Sequence, residues 1–352
     1  MNKALTLAFV LVGLGPIGAF TASAESVYAN RDSASHYLNL GKSEQAARKY
    51  ANAWRYFEQA ARFDSRDAEP QLAIADVCLK MNRMAPALKA LETASQLRPD
   101  DYATQWKLVQ MYYNFSQHDK VIALLPALHS KVADPKGWAY MLGKSYHTTQ
   151  NYGKAIEYLQ ISIKEEPTNA EAVYLVGRMY VQMSNYKAAI PFYQRAFALD
   201  STSQSSRTYE YAIVLATAGE FDASVKTFEK ALARGYKPRD DFYMNMAYTM
   251  ADAHKSAEAI KMLKEILSRR PNDLGLLNGL ADVCYHSGRY KEAISYWDDV
   301  LGMDDKNAQV LYHIGTAYIK MGNVKDGQHL CDRAIMMEPS LGILKHAKQM
   351  TM

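Results

Sequence analysis

Sulfur and imidazole ligands sit two residues apart at Cys284-Tyr285-His286 and again at His329-Leu330-Cys331. On a helix, residues at that spacing point roughly 200° apart, so neither pair can chelate one ion. Paired carboxylates occur at Glu165-Glu166, Asp240-Asp241 and Asp304-Asp305, each among turn residues. Solvated or helix-capping carboxylates are ordinary there. Gly13-Leu14-Gly15-Pro16-Ile17-Gly18 satisfies G-x-G-x-x-G, but no strand precedes it and no amphipathic helix follows, as a dinucleotide site requires. Phosphate-loop, G-x-S-x-G and H-E-x-x-H patterns are absent from the chain. The side chains point away from an enzyme, and no metal or cofactor is expected.

The regularity of the chain lies elsewhere. Residues 136–169 and 170–203 superimpose residue for residue: Leu142-Gly143 on Val176-Gly177, Tyr146 on Tyr180, Tyr152 on Tyr186, Ala155 on Ala189, Leu159 on Tyr193. Gly177 lies 34 residues after Gly143, and a fixed period of that size marks stacked helical hairpins. Extended both ways, the frame yields nine units: 34–67, 68–101, 102–135, 136–169, 170–203, 205–238, 240–273, 274–307 and 308–341. Single insertions at Gln204 and Arg239 fall at joints, where loops tolerate them.

Each unit reads as two antiparallel helices, A then B. Helix A carries a large residue followed by a small one, as in Leu40-Gly41, Ile74-Ala75, Leu142-Gly143, Val176-Gly177, Leu280-Ala281 and Ile314-Gly315. The small residue admits helix B of the same unit at close range. Helix B has its own stripe of small and bulky residues, for example Ala53, Phe57 and Ala60, or Ala189, Tyr193 and Ala196; that spacing is one helical face. Pro99, Pro167, Pro271 and Pro339 close B helices. Asp101, Asn169 and Asp273 stand ready to cap the next A helix.

These residues resemble the tetratricopeptide repeat family, whose pattern is W-x2-L-G-x2-Y…A-x3-F…P. Leu142, Gly143, Tyr146, Ala155 and Pro167 meet it in one unit, and Ile314, Gly315, Tyr318, Ala334 and Pro339 in another. The resemblance covers most of the chain. It implies an all-α fold, a right-handed α-solenoid of about nine helical hairpins, with residues 342–352 as a C-terminal capping helix. Three departures stand out. Val109, Val121 and Leu128 replace small residues in unit 102–135, where Pro126 should kink or shorten helix B. Unit 205–238 ends in a longer turn, Gly235-Tyr236-Lys237-Pro238. Glu44 replaces an aromatic in the first unit, as suits an end unit whose outer face meets water.

Composition adds little about partners. With 49% hydrophobic and 22% charged residues the chain is an ordinary folded protein. Its net charge of +4 is scattered, so no footprint for nucleic acid is present. The N-terminus is more informative. Lys3, the apolar run Ala4 to Val12 and Ala22-Ser23-Ala24 form a tripartite leader, so residues 1–24 are expected to be a signal peptide cut after Ala24. Pro16 and the neighbouring glycines make a stable membrane span a poor alternative. Removing Lys3 takes the charge from +4 to +3. An exported protein, periplasmic or extracellular, is expected, with residues 25–33 a flexible lead-in. Cys78, Cys284 and Cys331 are an odd number at offsets that are usually buried, which suits small core residues with free thiols.

A second stripe on the A helices uses offsets 5, 9 and 12, which share a face at ~100° per residue. Offset 5 reads Trp106, Tyr140, Tyr174 and Tyr209; offset 9 reads Gln110, Lys144 and Arg178; offset 12 adds Tyr113 and His147. The resemblance implies that this stripe lines a concave groove and is the partner-binding surface. Aromatic rings supply contact area there, and the basic groups orient acidic or backbone acceptors. Tyrosines at offsets 5 and 12 also serve packing between repeats in this family; Trp106, Lys144 and Arg178 go further. Lys42, Lys107, Lys144 and Arg178 lack the offset-9 asparagine of a carboxylate clamp, so that subtype is not supported. The expectation is a non-enzymatic scaffold that binds a protein or peptide, in assembly of an envelope or secretion complex. The alternative is a glycan-binding component of an exopolysaccharide export system.

Overall fold

The computed structural model describes residues 17–200 and 205–343, with side chains from residue 30 onward. Those residues are all helical, without a strand, and divide into two compact units at Pro167/Thr168. The first contains α1 (Ile17–Ala46), α2 (Tyr50–Phe63), α3 (Glu69–Lys80), α4 (Met84–Leu97), α5 (Tyr102–Asn114), α6 (His118–Leu128), α7 (Trp138–Thr148) and α8 (Tyr152–Glu165). The second contains α9 (Ala170–Gln182), α10 (Tyr186–Leu199), α11 (Ser205–Thr217), α12 (Phe221–Ala233), α13 (Asp240–Asp252), α14 (Ser256–Leu267), α15 (Leu274–His286), α16 (Tyr290–Met303), α17 (Ala308–Lys320) and α18 (Val324–Met337). Odd-numbered helices are the A helices and even-numbered ones the B helices, one pair for each of the nine sequence units.

The backbone keeps the same frame as the side chains. Every A–B turn holds one residue with positive φ: Arg48, Asn82, Ser116, Gln150, Ser184, Gly219, His254, Gly288 and Gly322. The next residue's N–H reaches back to the fourth-last carbonyl before the turn residue, as in Arg289 N to Cys284 O at 2.8 Å and Lys255 N to Met250 O at 2.8 Å. This is the Schellman closure, which satisfies carbonyls the ending helix leaves open. At the other end, the Asp101, Asn169 and Asp273 side chains accept from Thr104 N, Ala172 N and Leu276 N at 3.0–3.1 Å. The capping expected from sequence is in place.

Within a hairpin, the small residue of helix A faces the bulky residue of helix B. A Cβ on Gly143 would lie 2.5 Å from Leu159 Cγ, and one on Gly177 would lie 3.0 Å from Tyr193 Cδ2. Gly41 and Gly315 stand in the same relation to Phe57 and Cys331. Phe57, Leu159 and Tyr193 are fully buried as a result, each removing enough apolar area to contribute ~1.5–3 kcal/mol. In the divergent third hairpin, Val109, Val121 and Leu128 are buried too. Pro126 leaves α6 with 11 residues, after which His129–Lys131 tighten into a 3-10 turn. His129 Nδ1 lies 2.9 Å from the Pro126 carbonyl.

Two expectations need restating. Residues 25–33 are not an irregular lead-in; they are helical, and α1 runs unbroken from Ile17 past Ala24. The proposed capping helix falls mostly on residues 344–352, outside the described residues. Leu341, just before it, is buried against the α17–α18 hairpin with Ala334 and Cys331. No described helix is long and apolar enough to cross a membrane.

Candidate partner-binding surface

In the first unit, α5 carries Trp106, Gln110 and Tyr113, and α7 carries Tyr140, Lys144 and His147. The two stripes meet at Lys144. Its Nζ lies 5.8 Å from the centre of the Tyr113 ring and 6.0 Å from that of Tyr140, the range in which a ring face attracts an ammonium. No carboxylate among the described residues forms an ion pair with Lys144. Trp106 is half-buried and packs on the core of the first unit, and Gln110 is exposed. The His147 ring stands 6.3 Å from that of Tyr152 at the A–B turn.

His118, at the start of α6, completes this surface and was not marked by the stripe pattern. Its ring is edge-on to Tyr113 at 6.1 Å, and its Nδ1 lies 3.1 Å from Ser145 Oγ. Burial pushes its pKa down, and the charge of Lys144 pushes it further, against a small opposing pull from Asp119. The imidazole is therefore held neutral beside a charged ammonium. Aromatic walls, one cation and a neutral histidine make a surface suited to carbonyl or carboxylate acceptors.

The three candidates in the second unit are placed differently. Tyr174 is only 6% exposed. Its hydroxyl donates to Glu210 Oε2 at 2.6 Å, and the Arg207 guanidinium covers its ring at 4.0 Å. The Tyr193 hydroxyl donates to the other oxygen of Glu210 at 2.5 Å, and Arg178 Nε stands 3.3 Å from that oxygen. Burial, with the nearby carboxylate, drives both phenol pKa values far up. Tyr209 packs among Phe228, Tyr236 and Phe242, and its hydroxyl accepts from Asn245 at 3.0 Å. In this unit the tyrosine stripe is packing between neighbouring hairpins rather than open surface. Glu210 organises it, and sequence reasoning missed it. The available signal was a carboxylate next to offset 5, one residue toward the buried side.

The thiols bear out their core role. All three cysteines are buried and free, and burial pushes Cys284 up to about 11. Cys331 Sγ donates to the Tyr312 carbonyl at 3.6 Å, while His329 two residues earlier is exposed. The i, i+2 pairs thus split between core and solvent. No group of three metal-ligating side chains occurs among the described residues.

Comparison with known proteins agrees with this architecture. Sequence profiles described as tetratricopeptide repeat match residues 44–112, 250–296 and 285–340 in one form and 140–203 in another, together more than half of the chain. Superkiller protein 3 of Schizosaccharomyces pombe is 26% identical over 136 residues, which is 37% of this chain and 10% of that protein. TPR repeat-containing protein YpiA of Bacillus subtilis is 24% identical over 125 residues, 36% of this chain and 29% of that protein. The chain thus covers under a third of either relative. Among solved structures, YrrB, described as a TPR protein with an unusual peptide-binding site, is similar with a TM-score of 0.41 at 22% identity. That match covers 55% of this chain and 100% of YrrB. A tetratricopeptide repeat protein from Parabacteroides merdae is similar with a TM-score of 0.43 at 15% identity, over 71% of this chain and 98% of that one.

Proposed function

This chain belongs to the tetratricopeptide repeat family, and on that premise we propose that it is a non-enzymatic scaffold that binds a polypeptide partner on the A-helix face of its hairpins. Proteins of this family generally mediate protein–protein interactions, and their fold is typically non-catalytic. The observation that carries the reading is Lys144, set between the Tyr113 and Tyr140 rings with no carboxylate to neutralise it. A cation kept half-buried against two rings is organised for an acceptor that arrives with the partner, a backbone carbonyl or an acidic side chain. The partner segment would lie along α5 and α7, with Trp106 and Gln110 at one end and His147 at the other.

The tripartite leader of Lys3, Ala4 to Val12 and Ala22-Ser23-Ala24 supports an exported setting, where assembly of an envelope or secretion complex is the proposed role. Affinity capture from an envelope fraction, read by mass spectrometry, tests the binding claim. The intact chain should retain a protein partner that a Tyr140→Ala, Lys144→Ala variant loses while its circular dichroism stays helical. An unchanged set of captured proteins would sink it. Retention on a polysaccharide column, lost in the same variant, would favour the glycan alternative. N-terminal sequencing of the protein from a periplasmic extract checks the cut after Ala24.

A further inference from the structure

The second unit has a surface of opposite character. A cleft of about 590 Å3 opens between α13 and α15, lined by Tyr248, Asp252, His254, Asp282 and His286 around Gly279. Its shape depends on the glycine: any side chain at 279 would collide with the Tyr248 hydroxyl, which rests on the bare backbone of α15. No lysine or arginine lines the cleft. Asp252 forms no ion pair among the described residues, and Asp282 has only the His313 ring, 3.7 Å away. Asp282 also borders a smaller adjoining cleft of about 240 Å3 that offers the amides of Asn278, Asn307 and Gln309.

Two independent features indicate that this negative charge awaits a ligand. Asp252 is the last residue of α13, the end at which the helix dipole disfavours an anion. The chain keeps a carboxylate there with no internal cation in compensation. Tyr248 reports the same field: burial raises its pKa, and the charges of Asp273 and Asp282 raise it further.

We propose that this cleft receives the guanidinium of an arginine side chain on the bound polypeptide, with Asp252 and Asp282 as acceptors and the Tyr248 ring as a wall. A planar guanidinium presents five donors in a fork that suits carboxylates, and its face stacks on an aromatic ring. The apolar stem would run over Ala251 and Val283, which line the same cleft. This rests on the polypeptide-binding reading but concerns residues remote in sequence from Lys144, so the two can fail separately.

The test is a fluorescence anisotropy titration of the full chain with a labelled Gly-Arg-Gly-Arg-Gly peptide at low ionic strength. A peptide with citrulline in place of arginine, equal in shape and uncharged, serves as comparison. Arginine should bind at least about tenfold tighter than citrulline, a difference removed by Asp252→Asn with Asp282→Asn. Both changes are isosteric, and circular dichroism confirms the fold. Asp305→Asn, in an exposed turn, controls for general attraction and should leave binding unchanged. Equal binding of the two peptides overturns the proposal, and so does a loss in Asp305→Asn as large as in Asp282→Asn. A Lys144→Ala variant that loses its captured partner yet keeps arginine selectivity separates this site from the α5–α7 surface.

Discussion

The Tyr174 hydroxyl donates to Glu210 at 2.6 Å and thereby ties α9 to α11. Tyr193 on α10 donates to the other oxygen of the same carboxylate, so three helices of the second unit share one acceptor. Glu210→Ala leaves both phenols without it. An orphaned buried hydroxyl costs ~1–3 kcal/mol, and because Glu210 is about one-third exposed, water repairs part of that. The expected loss is about 2 kcal/mol in urea denaturation, against about 1 kcal/mol for Tyr174→Phe, which removes only one donor. A change in Glu210→Ala within about 0.5 kcal/mol of zero, the scatter of ordinary surface substitutions, would mean that the network is ornamental. For the same reason Tyr174→Ala is unsuited to testing partner binding, since it would loosen the α9–α11 packing.

The neutral state of His118 supplies an internal gauge of the α5–α7 surface. Burial is the larger cause of its lowered pKa and Lys144 the next. Lys144→Ala should therefore move the His118 pKa part of the way back toward 6.5 and no further, because burial remains. Nuclear magnetic resonance titration of the imidazole Hε1 reads this directly. An unchanged value would place the ammonium elsewhere in solution and remove the main support for the proposed binding surface.

Acid stability carries a signature of the α5 cap. Asp101 accepts from both the backbone N–H and the hydroxyl of Thr104, and the hydroxyl bond is the main cause holding its carboxyl below the usual range. A carboxylate whose folded pKa is depressed contributes stability above its unfolded value, about 3.9, and loses it as pH falls through the lower folded value. Asp101→Asn keeps a good capping side chain at neutral pH but cannot titrate. Its stability should be close to that of the parent at pH 7 and should fall less steeply below about pH 4, as measured by urea midpoint at each pH. An identical acid slope in both proteins would refute the assignment.

Period, hairpin count and helix pairing were all legible in the sequence, because they follow from local chemistry repeated at a fixed spacing. Gly143 opposite Leu159 and Gly177 opposite Tyr193 are set by offsets within one unit, and close packing leaves a bulky residue no other neighbour. The insertions at Gln204 and Arg239 were readable too, since the left-handed turn residues Ser184, Gly219 and His254 step by the longer interval across them.

Tertiary structure alone decided which members of the A-helix stripe stay open. Offset fixes the angle of a side chain about its own helix, but not what the adjoining hairpin presents to it. Tyr140 and Tyr174 share an offset; the first meets the Lys144 ammonium, whereas the second is closed over by Glu210 and Arg207 from α11. The acidic cleft was invisible for the same reason. Tyr248 and Gly279 are 31 residues apart in sequence, and only the packing of α13 on α15 lays the tyrosine hydroxyl on a backbone without a side chain.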